Sequence, residues 1–314
     1  MSFLRSFLCI NFLVLSFQLF GQYELGATLL GHTAAVNGLE VFSDGKKLIS
    51  CSKDQSIRIW DLTTNSQLKA ILDLPSSIKK VELTSDESFF YAGGYEFVLY
   101  GNVEKFKIEK SHKAHSSFVE SIAISNDLIA TTSWREKTTM LWKKKGFKKA
   151  ISMNDSIWND CSVFSNDGKI LFTGDHANLI KLWDVFSGEL ITKFSGHTDW
   201  VYDLALSPDN KLLYSAGFDG VVKVWNLQTQ KNILNFNESK SGLVAIDISS
   251  DGKFLCTGGM DKSLYVYDLE EGKLFQKIEN AHEGTILDIK FSSIRNTLIS
   301  AGVDGKIKTW ILRQ

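Results

Sequence analysis

The chain has 314 residues, 44% of them apolar, two prolines and a formal net charge of −1, the composition of a soluble globular protein with material for a large core. This balance argues against nucleic acid as an obligate partner, which calls for a strongly basic face. The charge is unevenly spread, however: residues 101–150 hold eleven Lys and Arg against five Asp and Glu, while residues 151–314 hold sixteen against twenty-one.

The first segment, Met1 to Gly21, reads MSFLRSFLCINFLVLSFQLFG, with a positive charge at Arg5 followed by an apolar stretch from Phe7 to Phe17. This is the layout of a secretory signal peptide, with Gly21 as the small residue before cleavage. Its apolar core is well short of the roughly twenty residues a bilayer span needs. The expectation is a leader over 1–21, a folded domain over 22–314, and an exported protein, periplasmic or secreted. Beyond the leader, Cys51, Cys161 and Cys256 form an odd set, which suits buried free thiols better than a disulfide framework.

From Tyr23 onward one unit recurs. Its clearest copy, Gly196 to Leu227, has a Gly-His turn, alternating Val201, Asp203, Leu204 and Leu206, a Pro-Asp-Asn turn, Leu212 to Ser215, a Gly-Phe-Asp-Gly turn, and Val221 to Trp225. That is three short strands separated by turn residues. The closing aromatic recurs as Trp60, Tyr100, Trp142, Trp183, Trp225, Tyr267 and Trp310, at steps of 40 to 43 residues. Such a period is read before any local feature, because it decides the fold. Six residues before that aromatic stand Asp54, Glu136, Asp219, Asp261 and Asp304, and a small residue followed by His opens four copies at His32, His115, His197 and His282. The second copy is degenerate, the fourth has Ala177 at the acid position, and neither these two nor the sixth has the opening His.

This combination of period, Gly-His opening and Trp-Asp close (Trp60-Asp61, Trp183-Asp184) resembles the WD-repeat proteins, and the resemblance covers essentially Tyr23 to Gln314. It implies an all-β fold: a seven-bladed β-propeller of four-stranded antiparallel blades. A single blade cannot bury both faces, whereas a ring of blades buries them against each other. The chain ends on what would be the third strand of the last blade, so Gln22 to Leu30 is positioned to supply the fourth and close the ring.

Ser, His and Asp at fixed spacing invite a hydrolase reading. A catalytic triad, however, converges once on one pocket, and this set repeats blade after blade beside a Trp. The resemblance implies a structural role instead, as buried chains linking His32, Ser50, Asp54 and Trp60; His115, Thr132, Glu136 and Trp142; His197, Ser215, Asp219 and Trp225; and His282, Ser300, Asp304 and Trp310. The opening histidines sit in separate blades, and His112 and His176 have no partners at ligand spacing, so no metal is expected. A phosphate-binding loop is missing as well, and neither a cofactor nor a catalytic residue is expected.

Other positions vary from copy to copy, and the resemblance places them around the mouth of the channel. Seven residues before the turn Ser207, the copies read Ala35, Ser77, Phe118, Trp158, Trp200, Gly242 and Thr285; Tyr202 lies close by, and the residue before the turn acid adds Lys53, Arg135, Phe218, Met260 and Val303. Large aromatics, Met and Arg are enriched where proteins bind each other. The expected partner-binding face is therefore Phe118, Arg135, Trp158, Trp200, Tyr202, Phe218 and Met260. Four residues before the turn Ser, Gly38, Lys80, Ser121, Cys161, Asp203, Ala245 and Asp288 should line the channel, where Asp203 and Asp288 could hold a cation or a substrate amine. The run Lys143 to Lys149 either guards an outer edge strand or docks an acidic partner or anionic surface. The leading expectation is a non-catalytic, exported scaffold, a monomeric propeller within a complex, that binds a protein or peptide. The alternatives are an exported enzyme or small-molecule binder using the channel acids, and an intracellular scaffold.

Overall fold

The computed structural model describes residues 21–133, 135–154, 157–294 and 296–313. The leader expected over residues 1–21 lies, but for Gly21, outside them. Among the described residues there are 28 strands, β1–β28, arranged as seven four-stranded antiparallel sheets. Six sheets run in simple sequence order. The seventh is assembled from both ends of the chain: β26 (Ile286–Phe291), β27 (Leu298–Gly302), β28 (Ile307–Arg313) and β1 (Gln22–Leu29).

That closure follows the expected register, from Gln22 opposite Arg313 to Leu29 opposite Ile307, with a bulge between Leu25 and Ala27. Tyr23 also ties the closing strand to the neighbouring blade. Its backbone N–H donates to Gln276 Oε1 at 2.7 Å, and its buried ring packs edge-on against Phe254 and Phe275.

The core is divided among the seams between blades. Leu29, Val36, Leu39, Leu48 and Trp60 of the first and last sheets pack with Ile299, Ala301 and Ile307, and equivalent clusters fill each of the other six seams. This is why the second and third strands of the blades are largely buried while the outermost strands are largely exposed. Cys51, Cys161 and Cys256 are buried free thiols in these seams.

Each innermost strand faces the channel, and in five of the seven it is bulged near its start, as at Val36/Gly38, Asn159/Cys161, Val201/Asp203, Leu243/Ala245 and Ile286/Asp288. A bulge re-aims side chains. At two of these bulges both consecutive residues, Asp160 with Cys161 and Tyr202 with Asp203, line the central cavity.

Candidate functional site

The recurring polar residues form closed chains within blades. In the first blade the Trp60 indole donates to Ser50 Oγ at 2.8 Å, Ser50 bonds His32 Nε2 at 2.8 Å, and His32 Nδ1 meets Asp54 at 2.9 Å. Blades five and seven repeat the chain through Trp225, Ser215, His197 and Asp219, and through Trp310, Ser300, His282 and Asp304. Burial holds the imidazoles of His32 and His282 below their usual range. Burial also pushes Asp54, Asp219 and Asp304 upward, but hydrogen bonds from side chains and backbone amides outweigh it and leave these acids low. A neutral imidazole then donates from Nδ1 to the carboxylate and accepts at Nε2 from the hydroxyl, so every polar atom in the chain is satisfied.

The third blade corrects one expected member. The hydroxyl bonded by His115 Nε2 and the Trp142 indole belongs to Thr131, at 2.8 and 2.9 Å; Thr132 Oγ1 is buried and has no partner among the described residues. The hairpin between the second and third strands is one residue longer here: Thr131 pairs with Met140, where Ser50 pairs with Arg58 in the first blade. Counting back a constant distance from the Trp therefore lands one residue late. Glu136 reaches His115 as Asp does elsewhere, at 2.5 Å.

Blade four, without the His and the turn acid, substitutes a buried ion pair. Lys181 Nζ meets Asp175 Oδ2 at 2.7 Å beside the Trp183–Thr173 hydrogen bond, and Asp175 is 0% exposed. In blade six the Tyr265 hydroxyl donates to Asp261 at 2.6 Å, and Thr257 turns to the Ala245 carbonyl.

The channel encloses a cavity of about 710 Å³ lined by the innermost strands. Its acids act largely between blades. Asp203 accepts the N–H of Leu204 and that of Ile246 in the next blade; Asp288 accepts Ile289 and, across the ring closure, Leu39; Asp247 accepts Phe291. Ser121 Oγ accepts the Ser162 N–H at the corresponding place in blade three. Asp288 also holds Lys80 at 3.2 Å, and Glu40 holds Lys290 at 2.9 Å. Asp203 and Asp288, expected as open carboxylates for a cation or amine, are thus engaged as staples, and Lys80 already supplies the amine. Burial pushes Asp203 up to about 6, Asp247 to about 7 and Glu82 to about 8, the last aided by neighbouring Glu40.

Around the mouth the aromatic residues converge. His176 stacks on Trp200 at 4.1 Å and 13°, Trp158 meets His176 edge-on at 5.3 Å, and Trp200 stacks on Phe218 at 5.6 Å. Tyr202 closes the group against Trp200 and Phe218. A repeated backbone bond sets this up: the N–H before the turn acid donates to the carbonyl ahead of the innermost strand, as from Phe218 to Trp200 and from His176 to Trp158. The loop residue of one blade then reaches over the next. Phe218 lies against Gly242, where a Cβ would come within 2.4 Å of its ring, so only glycine admits it. Met260, 47% exposed, bonds by its N–H to the same Gly242.

Phe118 sits apart from this stack, paired edge-on with Tyr95 at 5.1 Å under the Lys79 ammonium, and Arg135 is exposed in the loop after β11 (Leu128–Ser133). Sequence reasoning missed His176 as a member. The turn acid served as the reference for that offset, and blade four has none; counting 42 residues back from Phe218 finds it. Asp160, at the channel mouth, pairs with His176 Nε2. Burial and the nearby Asp160, Glu120 and Asp199 push the Tyr202 hydroxyl up to about 12, leaving it a neutral donor.

Residues 49–312 match the family model described as the WDR36/Utp21 first beta-propeller, and residues 23–61 match the WD domain, G-beta repeat. Apoptotic protease-activating factor 1 of Rattus norvegicus is 30% identical over 198 residues, covering 57% of this chain and 15% of that protein. Nuclear distribution protein nudF of Emericella nidulans is 27% identical over 196 residues, covering 54% of this chain and 44% of that protein. Periodic tryptophan protein 2 of Arabidopsis thaliana is 28% identical over 187 residues, covering 55% and 20%. The chain thus spans less than half the length of these relatives. With seven four-stranded blades, Trp–Ser–His–Asp chains in three of them and a family match over most of its length, the chain belongs to the WD-repeat β-propellers of the WDR36/Utp21 first-propeller family.

Proposed function

We propose that this protein is a non-catalytic WD-repeat scaffold that binds a protein or peptide partner through the face carrying Trp158, His176, Trp200, Tyr202, Phe218 and Met260. The observation that carries this reading is the continuous ring stack across blades four and five, partly exposed and found at blade positions that hold Ala35, Ser77 and Thr285 elsewhere. Rigid aromatics at a surface supply contact area at small entropic cost and dominate binding energies. Similarity to relatives named as an activating factor and, in Caenorhabditis briggsae, as a guanine nucleotide-binding protein subunit supports a partner-binding role. Engagement of the channel carboxylates by backbone amides and Lys80 favours this reading over an enzyme or small-molecule binder using them.

Partner capture by the wild-type chain, Trp200→Ala and Asp203→Ala tests it. The expected result is loss of capture in Trp200→Ala alone; capture that survives this change, together with an activity lost in Asp203→Ala, would reverse the assignment. Export rests on the leader-like residues 1–21, and among the described residues no helix is long and apolar enough to cross a membrane. The mass of the protein isolated from its native host decides between the exported scaffold, which starts near Gln22, and the intracellular one, which keeps Met1.

A further inference from the structure

The third blade carries a charged feature that its partner face does not use. Its two outer strands, β12 (Thr138–Lys143) and β13 (Lys148–Asn154), are joined by a turn, and Lys143, Lys145, Lys148 and Lys149 are exposed around it. Lys107 and Lys110 project from β9 (Lys107–Phe118), the outermost strand of the preceding blade. Among the described residues none of these six has a carboxylate partner, whereas Lys169, Lys211, Lys273, Lys277 and Lys306 on other blades each hold one.

The basic hairpin is fixed in place by an aromatic ring in its turn. The last turn position before the outermost strand is left-handed in five blades, occupied by Asn65, Phe106, Phe147, Gln230 and Gly272. For a bulky ring that conformation is strained, while Asn and Gly adopt it readily. In blade three Phe147 (φ 47°) is held there by burial: its ring stacks on Trp142 at 4.6 Å and on His112 of β9 at 4.4 Å. The turn is thereby clamped to β9 of blade two, the strand that carries Lys107 and Lys110. Burial and then the Lys110 charge hold the His112 imidazole below its usual range, while Glu109, between Lys107 and Lys110, and Asp86 are the acids that act on Tyr100 in this seam. Next to it, the seam opens as a groove of about 250 Å³ with the rings of Phe89, Tyr91 and Tyr100 inside and Lys144 and Asp86 among its walls. It lies at the blade where Tyr100 stands in place of the closing Trp.

We propose that the seam between blades two and three is a second docking surface, for an acidic segment of a protein whose Asp and Glu side chains lie on Lys107, Lys110, Lys143, Lys145, Lys148 and Lys149 and which places one apolar side chain in the groove over Phe89, Tyr91 and Tyr100. Charge complementarity carries the choice of occupant. The basic band is confined to residues 101–150, and the remainder through residue 314 is net acidic, so a short acidic segment is matched along its length while a long polyanion or an extended anionic membrane would be repelled beyond the band. The apolar groove selects an anchor that a phosphate backbone or a headgroup does not offer.

The test is fluorescence anisotropy of the full chain with a labelled dodecapeptide of Asp and Glu around one central Phe, against the same peptide with Ser for Phe, phosphatidylserine vesicles and an oligothymidylate. The expected result is saturable binding of the Phe peptide, weakened at least about tenfold by Lys148→Glu/Lys149→Glu and about tenfold by the Ser substitution, with melting unchanged in the exposed lysine variant. Phe147→Asn, which suits the turn, should weaken binding by freeing the hairpin while His115 and Trp142 remain paired. Equal binding by the lysine variant overturns the proposal. So does binding of the vesicles or the oligonucleotide, but not the peptide, through the same lysines. Loss of capture at Trp200 leaves these measurements unaffected, so the two surfaces fail independently.

Discussion

Blades four and five are neighbours built to one plan, yet they spend their polar residues differently. Blade five buries the Trp225–Ser215–His197–Asp219 chain, in which the carboxylate is almost covered and hydrogen-bonds to an imidazole. Blade four buries a full ion pair, Asp175 with Lys181, beside its Trp183–Thr173 bond. On the exposed side the two converge again, and His176 from one stacks on Trp200 from the other. Around the same Trp-to-hydroxyl bond the two interiors thus hold different polar arrangements, an imidazole–carboxylate chain and an ammonium–carboxylate pair, whereas the rings of both blades meet in a single stack.

Breaking that comparison should cost most in blade four. Asp175→Ala removes the buried carboxylate on which the Lys181 ammonium and the Ala177 and Leu179 N–H groups converge and is expected to cost about 3–5 kcal/mol in chemical denaturation; a change as mild as that of a surface residue would mean that the pair is open to water. In blade five, Asp219→Ala leaves His197 Nδ1 and the Thr198 N–H unpaired, an expected loss of about 1.5–3 kcal/mol. Blade three sets the same contrast one residue apart: Thr131→Val should cost about 1–3 kcal/mol because the Trp142 and His115 nitrogens lose their partner, while Thr132→Val removes a hydroxyl that has no hydrogen-bond partner among the described residues and should be close to neutral. The reverse ranking would restore the register read from the sequence.

The smallest effect concerns pH, and its sign differs between the tetrads and the channel. His32, His115 and His282 lie below their usual 6.5 when folded, so the unfolded chain takes up protons first, and stability falls as pH drops below about 6.5. Glu82 is raised from 4.5 to about 8 when folded, so the folded chain holds the extra proton, and the stability it contributes is lost as pH rises through that window. Glu82→Gln should therefore raise the melting temperature at pH 8 relative to wild type more than at pH 5. An equal effect at both pH values would show that Glu82 stays ionised.

Much of this was legible in the chain. The 40-to-43-residue period, the Trp, His and acid positions and the incomplete last blade carry the ring and its closure, because they depend on spacing alone. Thr131 was not legible: one extra hairpin residue shifts the hydroxyl without disturbing the Trp period. His176 was hidden by the absence of the turn acid used for counting. The staples made by Asp203, Asp247 and Asp288 depend on backbone amides of the adjoining blade, about forty residues away or across the ring closure, and no local pattern announces them. Lys181 looks like any strand lysine until Asp175 is folded against it.

The central claim is that the repeated polar residues build the ring while the unrepeated aromatics act outward. Partner capture and thermal melting measured together on Trp200→Ala test it most directly. Wild-type melting with capture lost is the expected result; capture retained at wild-type level would overturn this division of roles.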